Sequence, residues 1–369
     1  MLKISVSNLQ PGMVIAKNIY DADANLLLSK DIALTKHYIN RLKTIGLSSV
    51  YILTEKKHHN IIYQEDIIRE EIRLKAIKSI GKTFQKCLST KNLDVEEIND
   101  VTSTIIDEIM HSKTRMIQLS DIIAFDEYTF GHSVNVCAIS TMIGIICQYS
   151  PKRLHELALG AILHDIGKIM IPIEILNKKE KLTDSEMALM RRHSELGFEL
   201  LRKTSHLSVV PMHVAFQHHE NFNGTGYPRG LKDTKIHHYA RIVSIADVYD
   251  ALTTDRPYHK ARTPYQAYEI MLSEASVKFD ISILEKFFDN LVIFNVGSLV
   301  LLNNGFYAMV TDLSSRLPFS PIVKIIAKPN NELITEDLYI DLKEYYSIKI
   351  IRSLSEKESI NILSELHNQ

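Results

Sequence analysis

Apolar and polar positions alternate along the chain in three successive rhythms. In the first sixty residues, "MVIAKNIYDADANLLL" reads as two strands around an Asp/Asn-rich turn. "TKHYINRLKTIGL" then has helical spacing, and "SVYIL" reads as a further strand. From Asp66 to about Leu119 the period becomes helical. Ile68, Ile72, Ile77, Ile80 and Phe84 mark one apolar face, and Ile98, Val101, Ile105 and Ile109 another. Glu71 and Lys75 are spaced for an i,i+4 ion pair on the wet side. From Asp121 to about Asp289 the pattern is nearly all helix, and Thr183 with Glu186 predicts a capping box ahead of "MALMRRHSELGFELL". After Phe294 the chain turns to strands. "GSLVLL" and "FYAMV" flank an Asn304-Gly305 hairpin signal, followed by "PIVKIIA" and "SIKIIRSL". The fold class expected is mainly α: a helical bundle with a small N-terminal α/β module and a small C-terminal β subdomain. The boundaries expected are 1–65 for the module, 66–120 for a helical connector, 121–295 for the bundle and 296–369 for the β subdomain. The connector helices suit packing on the core, with a homodimer seam as the alternative.

Composition narrows the class. Forty-three basic residues against 44 acidic ones leave a net charge of -1, which gives no overall field for DNA or a membrane surface. The longest apolar stretch, Val134 to Cys147, is broken by Asn135, Ser140 and Thr141 and is too short to span a bilayer, so no membrane insertion is expected. "MLKISVSNLQPGM" has no signal-peptide apolar run. Cys87, Cys137 and Cys147 form neither a CxxC motif nor a pairing framework, which suits a reducing compartment. The expected location is cytoplasmic.

The placement of the 16 histidines changes the picture most. In "AILHDIGKI", His164 and Asp165 sit side by side in an otherwise apolar segment, where buried polar groups are costly unless paired or bound to metal. Further candidates lie in similar surroundings: His132 in "YTFGHSVNV", His193 in "MRRHSELG", His218 and His219 opening "HHENFNGTGYPRGL", and Asp247 in "SIADVYDAL". One such histidine is more often a satisfied core residue. Five of them with two aspartates point to a metal site, and imidazole with carboxylate suits Fe, Mn, Ni, Zn or Co.

The ordered set "YTFGHS", "ILHDIGKIMIP", "ILNKKEKLT", "RRHSELG", "HHENFNGTGYPRGL" and "ARIVSIADVYDALTTDRPY" resembles the HD-GYP family, a bacterial branch of the HD-domain metal-dependent phosphohydrolases. "LQPGMVIAKNIY" and "VGSLVLLNNG" also resemble segments that accompany this domain. The resemblance implies an all-helical HD-domain bundle and a phosphodiesterase that opens cyclic di-GMP to pGpG and then GMP. It implies two divalent ions, Fe or Mn first and Ni, Zn or Co as alternatives, at a His/Asp site with a metal-bridging hydroxide. His132, His164, Asp165 and Asp247 match one ion's ligands. Asp165 matches the bridge to a second, completed by His193 and His218 or His219. Lys168 matches a phosphate contact or proton donor, with a solvated helix-end lysine as the plain alternative. Arg256 in "TTDRPYHK" matches a phosphate-gripping arginine, with a plain salt bridge to a carboxylate as the alternative, and Tyr227 of "GYP" matches a substrate contact, with an ordinary surface turn as the alternative.

Three segments depart from the family pattern. Tyr128 stands where some members carry a glutamate that helps to hold a third ion; two ions are therefore expected, a third staying open through His218 and His219. "NKKEKLT" replaces "NKPGKLT", and Asn223 stands where an aspartate is common. None of these removes an expected ligand. His58, His59, His155, His206, His213, His237 and His238 read as surface or helix-face residues, and His259 as a weaker candidate for the substrate mouth. Two alternatives stay open: an HD-type hydrolase of another cyclic dinucleotide, and a weakly active module that binds cyclic dinucleotide or a signalling protein partner.

Overall fold

The structure is a computed structural model. It describes the chain except residues 22–23, 54–65, 113–116, 118–127, 179, 255–260, 314–317, 331, 335 and 368–369, and the side chains of 128–129 and 363–367.

The N-terminal module comprises β1 (Leu2–Ser5), β2 (Ile19–Tyr20), β3 (Leu26–Leu28), α1 (Lys36–Ile45) and β4 (Ser49–Ile52). β1 pairs antiparallel with β4, and β2 with β3. Thr35 caps α1 by accepting from Tyr38 N, and Gly46 ends it at φ +82°, a left-handed conformation that glycine adopts without strain. The expected first strand of the hairpin is shorter than its apolar pattern. Only Ile19–Tyr20 pairs with β3, while Val14 and Ile15 make isolated bridges elsewhere. β1 was not expected, because four residues are too few to declare an alternation.

The two connector helices are α2 (Glu70–Thr90) and α3 (Val95–His111). They bury Ile77, Ile80 and Phe84 on one face and Ile98, Ile105 and Ile109 on the other, with Glu71 and Lys75 paired at 2.5 Å outside. The bundle follows as α4 (Tyr128–Ile146), α5 (Pro151–Leu163), α6 (Ile173–Leu176), α7 (Asp184–Arg191), α8 (His193–Arg202), α9 (Val209–Gln217), α10 (His238–Thr253), α11 (Pro264–Ser273), α12 (Ala275–Lys278) and α13 (Ile281–Asp289). The capping box is present on α7, with Thr183 and Glu186 serving each other's backbone N–H groups. α4 is apolar almost all round and lies at the centre of the main core, the expected place for a helix with no wet face, and α5 joins it there through Leu157–Leu163. No helix among the described residues is long and apolar enough to cross a membrane.

Beyond the bundle, β5 (Leu299–Leu302), β6 (Tyr307–Asp312), β7 (Ile322–Ala327), β8 (Tyr339–Asp341) and β9 (Ile350–Ser353) form an antiparallel sheet in the order β8-β7-β6-β5-β9. The β5–β6 hairpin turns through Gly305 at φ +84°. Val300, Leu302, Ala308, Val310, Val323 and Ile325 face the main core. Leu299, Met309 and Ile326 face the other way, where α14 (Glu356–His367) covers them through Ile362. This helix was not expected. A strand apolar on both faces needs a cover on each side, so "SLVLL" carried the signal. The fold is therefore mainly α with a small β unit at each end, as its periodicities predict.

The "HDIGK" segment departs from a continuous buried helix. α5 ends at Leu163, His164 is its C-cap, and Ile166–Met170 form a 3-10 turn laid against α8. A Cβ at Gly167 would stand 1.9 Å from His193 O and 2.5 Å from Gly197 N, both backbone atoms that cannot swing aside. Glycine is required here for closeness, since the turn must touch the helix that carries His193. Gly167→Ala is expected to cost about 3 kcal/mol, at the upper end of overpacking penalties, measured by denaturant unfolding. Wild-type stability would contradict this packing.

Candidate metal centre

Each expected ligand comes from a helix or a helix end. His132 lies in the second turn of α4, His164 at the end of α5, Asp165 in the following turn, His193 at the first residue of α8, His218 as the C-cap of α9, His219 just after it, and Asp247 in α10. Their donor atoms form two groups: His132, His164 and Asp247, and Asp165, His193, His218 and His219. The groups adjoin. His132 Nε2 lies 3.1 Å from Asp247 Oδ1 and 3.8 Å from Asp165 Oδ2, while Asp165 Oδ1 lies 3.4 Å from His193 Nε2 and 3.7 Å from His218 Nε2. Asp165 thus stands between the two groups.

Backbone carbonyls decide which ring nitrogen faces inward. His164 Nδ1 donates to Ala161 O at 2.6 Å, His193 Nδ1 to Met190 O at 2.7 Å and His218 Nδ1 to Ala215 O at 3.0 Å. A carbonyl only accepts, so each Nδ1 carries the proton and each Nε2 presents a lone pair to the centre. For His132 a carboxylate takes the same part, Asp250 Oδ2 accepting from Nδ1 at 2.6 Å.

The residues fit a bound cation on two grounds. His164 Nε2 and Asp165 Oδ1 are buried without a hydrogen-bond partner among the described residues. His193 Nε2 and His218 Nε2 face each other at 3.4 Å although both rings carry their proton on Nδ1. Two lone pairs so placed repel unless a positive charge lies beside them.

The charge states agree. Burial pushes His164 below its ordinary value, His193 to about 4 and His219 far down, leaving neutral rings with free lone pairs. Burial alone would raise both carboxyls, but Lys168 holds Asp165, and His132 holds Asp247, well below the usual carboxylate range. His132 differs. Burial lowers its affinity for a proton, but Asp247 and Asp250 outweigh that and raise it to about 9.

Lys168 Nζ reaches Asp165 Oδ2 at 2.5 Å. It does so from the 3-10 turn that follows α5. Tyr227 stacks on His219 with ring centroids 4.8 Å apart, and the Arg191 guanidinium lies 5.2 Å over the Tyr227 ring. The "NGTGYPRGL" loop is held to this place by its backbone. Glu220, itself buried, accepts from Arg229 N at 2.8 Å and Leu231 N at 2.9 Å, and Tyr227 N donates to His219 O. A Cβ at Gly226 would stand 2.2 Å from Asn221 N, so only glycine lets the loop fold onto the histidine turn. Asn223 shapes the loop by accepting from Thr225 N and Oγ1. Arg256 and His259 lie outside the described residues, as do His58 and His59.

Three residues escaped the sequence reading: Asp250, Asn135 and Arg191. Asp250 follows Asp247 by three residues, and Asn135 follows His132 by three, so each shares a helix face with a candidate ligand. Polar residues at that spacing on an apolar helix were the available signal.

A bundle of helices whose ends bring histidines and aspartates to one buried point defines an HD-domain protein. The profile described as "HD domain" matches residues 105–283, and that described as "KOW domain associated with HD domain" matches residues 299–362. The chain is 32% identical over 281 residues to a Pseudomonas aeruginosa protein named cyclic di-GMP phosphodiesterase PA4108, an alignment spanning 74% of this chain and 68% of the relative. It is 38% identical over 154 residues to the Xanthomonas campestris pv. campestris protein named cyclic di-GMP phosphodiesterase response regulator RpfG, covering 41% of each. It is also 37% identical over 178 residues to a Vibrio cholerae protein named 3'3'-cGAMP-specific phosphodiesterase 1, covering 46% of this chain and 39% of the relative. The chain belongs to the HD-GYP family.

The proton on His132 and an ion on its Nε2 exclude each other. Without an ion the ring stays protonated below about pH 9, so ion uptake at pH 7.5 is expected to release about one proton from it, and apparent affinity to fall as pH falls. Calorimetry in buffers of different ionisation heat measures this; ion uptake without proton release would contradict it.

Proposed function

We propose that the chain is a metal-dependent phosphodiesterase that hydrolyses cyclic di-GMP to pGpG and then to GMP, in the cytoplasm, with two divalent ions, Fe or Mn first. The observation that carries the reading is the pair of adjoining donor groups with the Asp165 carboxylate between them. His132, His164 and Asp247 would hold one ion, His193 with His218 and His219 the other, and Asp165 both. When bound, paired divalent ions neutralise the phosphodiester and acidify water for an in-line displacement.

The chain's own groups supply the rest. Water oxygen adds to phosphorus and the P–O3′ bond breaks, so the leaving O3′ needs a proton. Lys168 would contact the phosphate and deliver that proton, a role supported by its Nζ lying against Asp165. Tyr227 and Arg191 form a flat, cationic wall beside His219 on which a purine can stack. A second reading, another cyclic dinucleotide such as cyclic GMP-AMP, is supported by the 37% identity to the cGAMP-specific relative.

The test is product analysis. Anaerobically prepared protein with Mn(II) or Fe(II) is expected to convert cyclic di-GMP to pGpG and GMP, and Asp165→Ala to lose at least 1,000-fold in rate, about 4 kcal/mol of barrier. Turnover of cyclic GMP-AMP alone would move the substrate to the second reading. No turnover of either by folded, metal-loaded protein would overturn the enzyme assignment.

A further inference from the structure

The metal centre draws support from outside the span that matches the HD domain. Arg73, on α2, is 1% exposed. Its Nε and Nη2 donate to the two oxygens of Glu70 at 2.9 and 2.8 Å, and its Nη1 to Asn135 Oδ1 at 3.2 Å. Asn135 Nδ2 then donates to Asp250 Oδ1 at 2.8 Å, and Asp250 Oδ2 accepts from His132 Nδ1 at 2.6 Å. Thr254 Oγ1 also donates to Asp250 Oδ1 at 3.1 Å. Asn135, His132 and Asp250 are all buried.

The direction of this series is forced. A guanidinium only donates, so Asn135 must turn its oxygen to Arg73 and its amide nitrogen to Asp250. A carboxylate only accepts, so His132 must keep a proton on Nδ1, and Nε2 is the ring nitrogen left to face the centre and receive an ion. Reversing the amide would set two oxygens against each other in a buried place, an uncompensated cost.

We infer that Arg73 is a positioning residue of the metal centre, acting through Asn135 and Asp250 to fix the orientation of His132. The inference rests on the metal-centre part of the proposed function and is independent of which nucleotide is the substrate. A buried Arg–Glu pair that served stability alone would leave ion affinity untouched when removed, which separates the two roles.

The experiment titrates Co(II) into the metal-free full chain against a chromophoric chelator, for wild type, Arg73→Met, Asn135→Ala and the double variant, with melting curves as the control for folding. Arg73→Met is expected to weaken Co(II) roughly tenfold, the low end for losing a residue behind a ligand, and to alter the visible spectrum of the cobalt form. The double variant is expected to be no weaker than Asn135→Ala alone, because both substitutions cut one series. Folded Arg73→Met with wild-type affinity, or two losses that multiply, would overturn the inference. If Arg73→Met fails to fold, Asn135→Ala decides: weakened Co(II) binding supports the series, and wild-type binding overturns it. A wild type that binds no Co(II) would remove the metal centre and this inference together, whereas a failed nucleotide assay would leave both standing.

Discussion

Three imidazole rings, those of His164, His193 and His218, turned so that their Nε2 lone pairs converge on one buried carboxylate make the arrangement on which this molecule depends. Left alone it is unfavourable: His193 and His218 oppose each other at 3.4 Å, and Asp165 Oδ1 and His164 Nε2 have no hydrogen-bond partner. The fold nevertheless commits to it through carbonyls of Ala161, Met190 and Ala215, each of which holds one Nδ1 proton. Those carbonyls lie three residues before their histidines, in the last turns of α5, α7 and α9, where a carbonyl has acceptor capacity left for a ring N–H. The same termini that a bundle must satisfy anyway therefore aim the rings. A divalent cation relieves the opposition, which is why the geometry reads as a metal centre rather than a cluster of core histidines.

Close backbone approach is the second requirement, and it explains the glycines in the sequence signature. Gly167 lets the turn after Asp165 touch α8, and Gly226 lets the following loop lie on the turn of His218 and His219. Both act through the absence of a Cβ. Tyr227 is thereby stacked on His219 and meets Arg191 from a different helix, so the loop closes the centre with an aromatic and cationic wall. Glu220 fixes the loop from below by accepting two backbone N–H groups.

Much of this was legible in the sequence because the relevant signals are local. The helical faces of α2 and α3, the capping box at Thr183 and the Asn304-Gly305 hairpin follow from spacing alone, and the candidate ligands stand out as polar residues in apolar runs. What was not legible depends on tertiary closure. The end of α5 at Leu163 is set by contact of Gly167 with α8, which no local pattern in "AILHDIGKI" announces. α14 exists because the sheet has a second apolar face to cover, and β1 because β4 offers an edge. Asp250 and Asn135 were passed over because a ligand search looks for residues that reach the centre, and these two act from behind it.

The most direct test is diffraction from crystals grown with Mn(II), recorded to reveal anomalous scattering at the metal. The account predicts two peaks about 3.5–4 Å apart, the spacing of a two-metal phosphodiester site. One would lie within bonding distance of His132, His164 and Asp247 and the other of His193, His218 and His219, with Asp165 bonded to both. A single peak outside these groups, or rings with Nε2 hydrogen-bonded to protein and no peak at all, would contradict it.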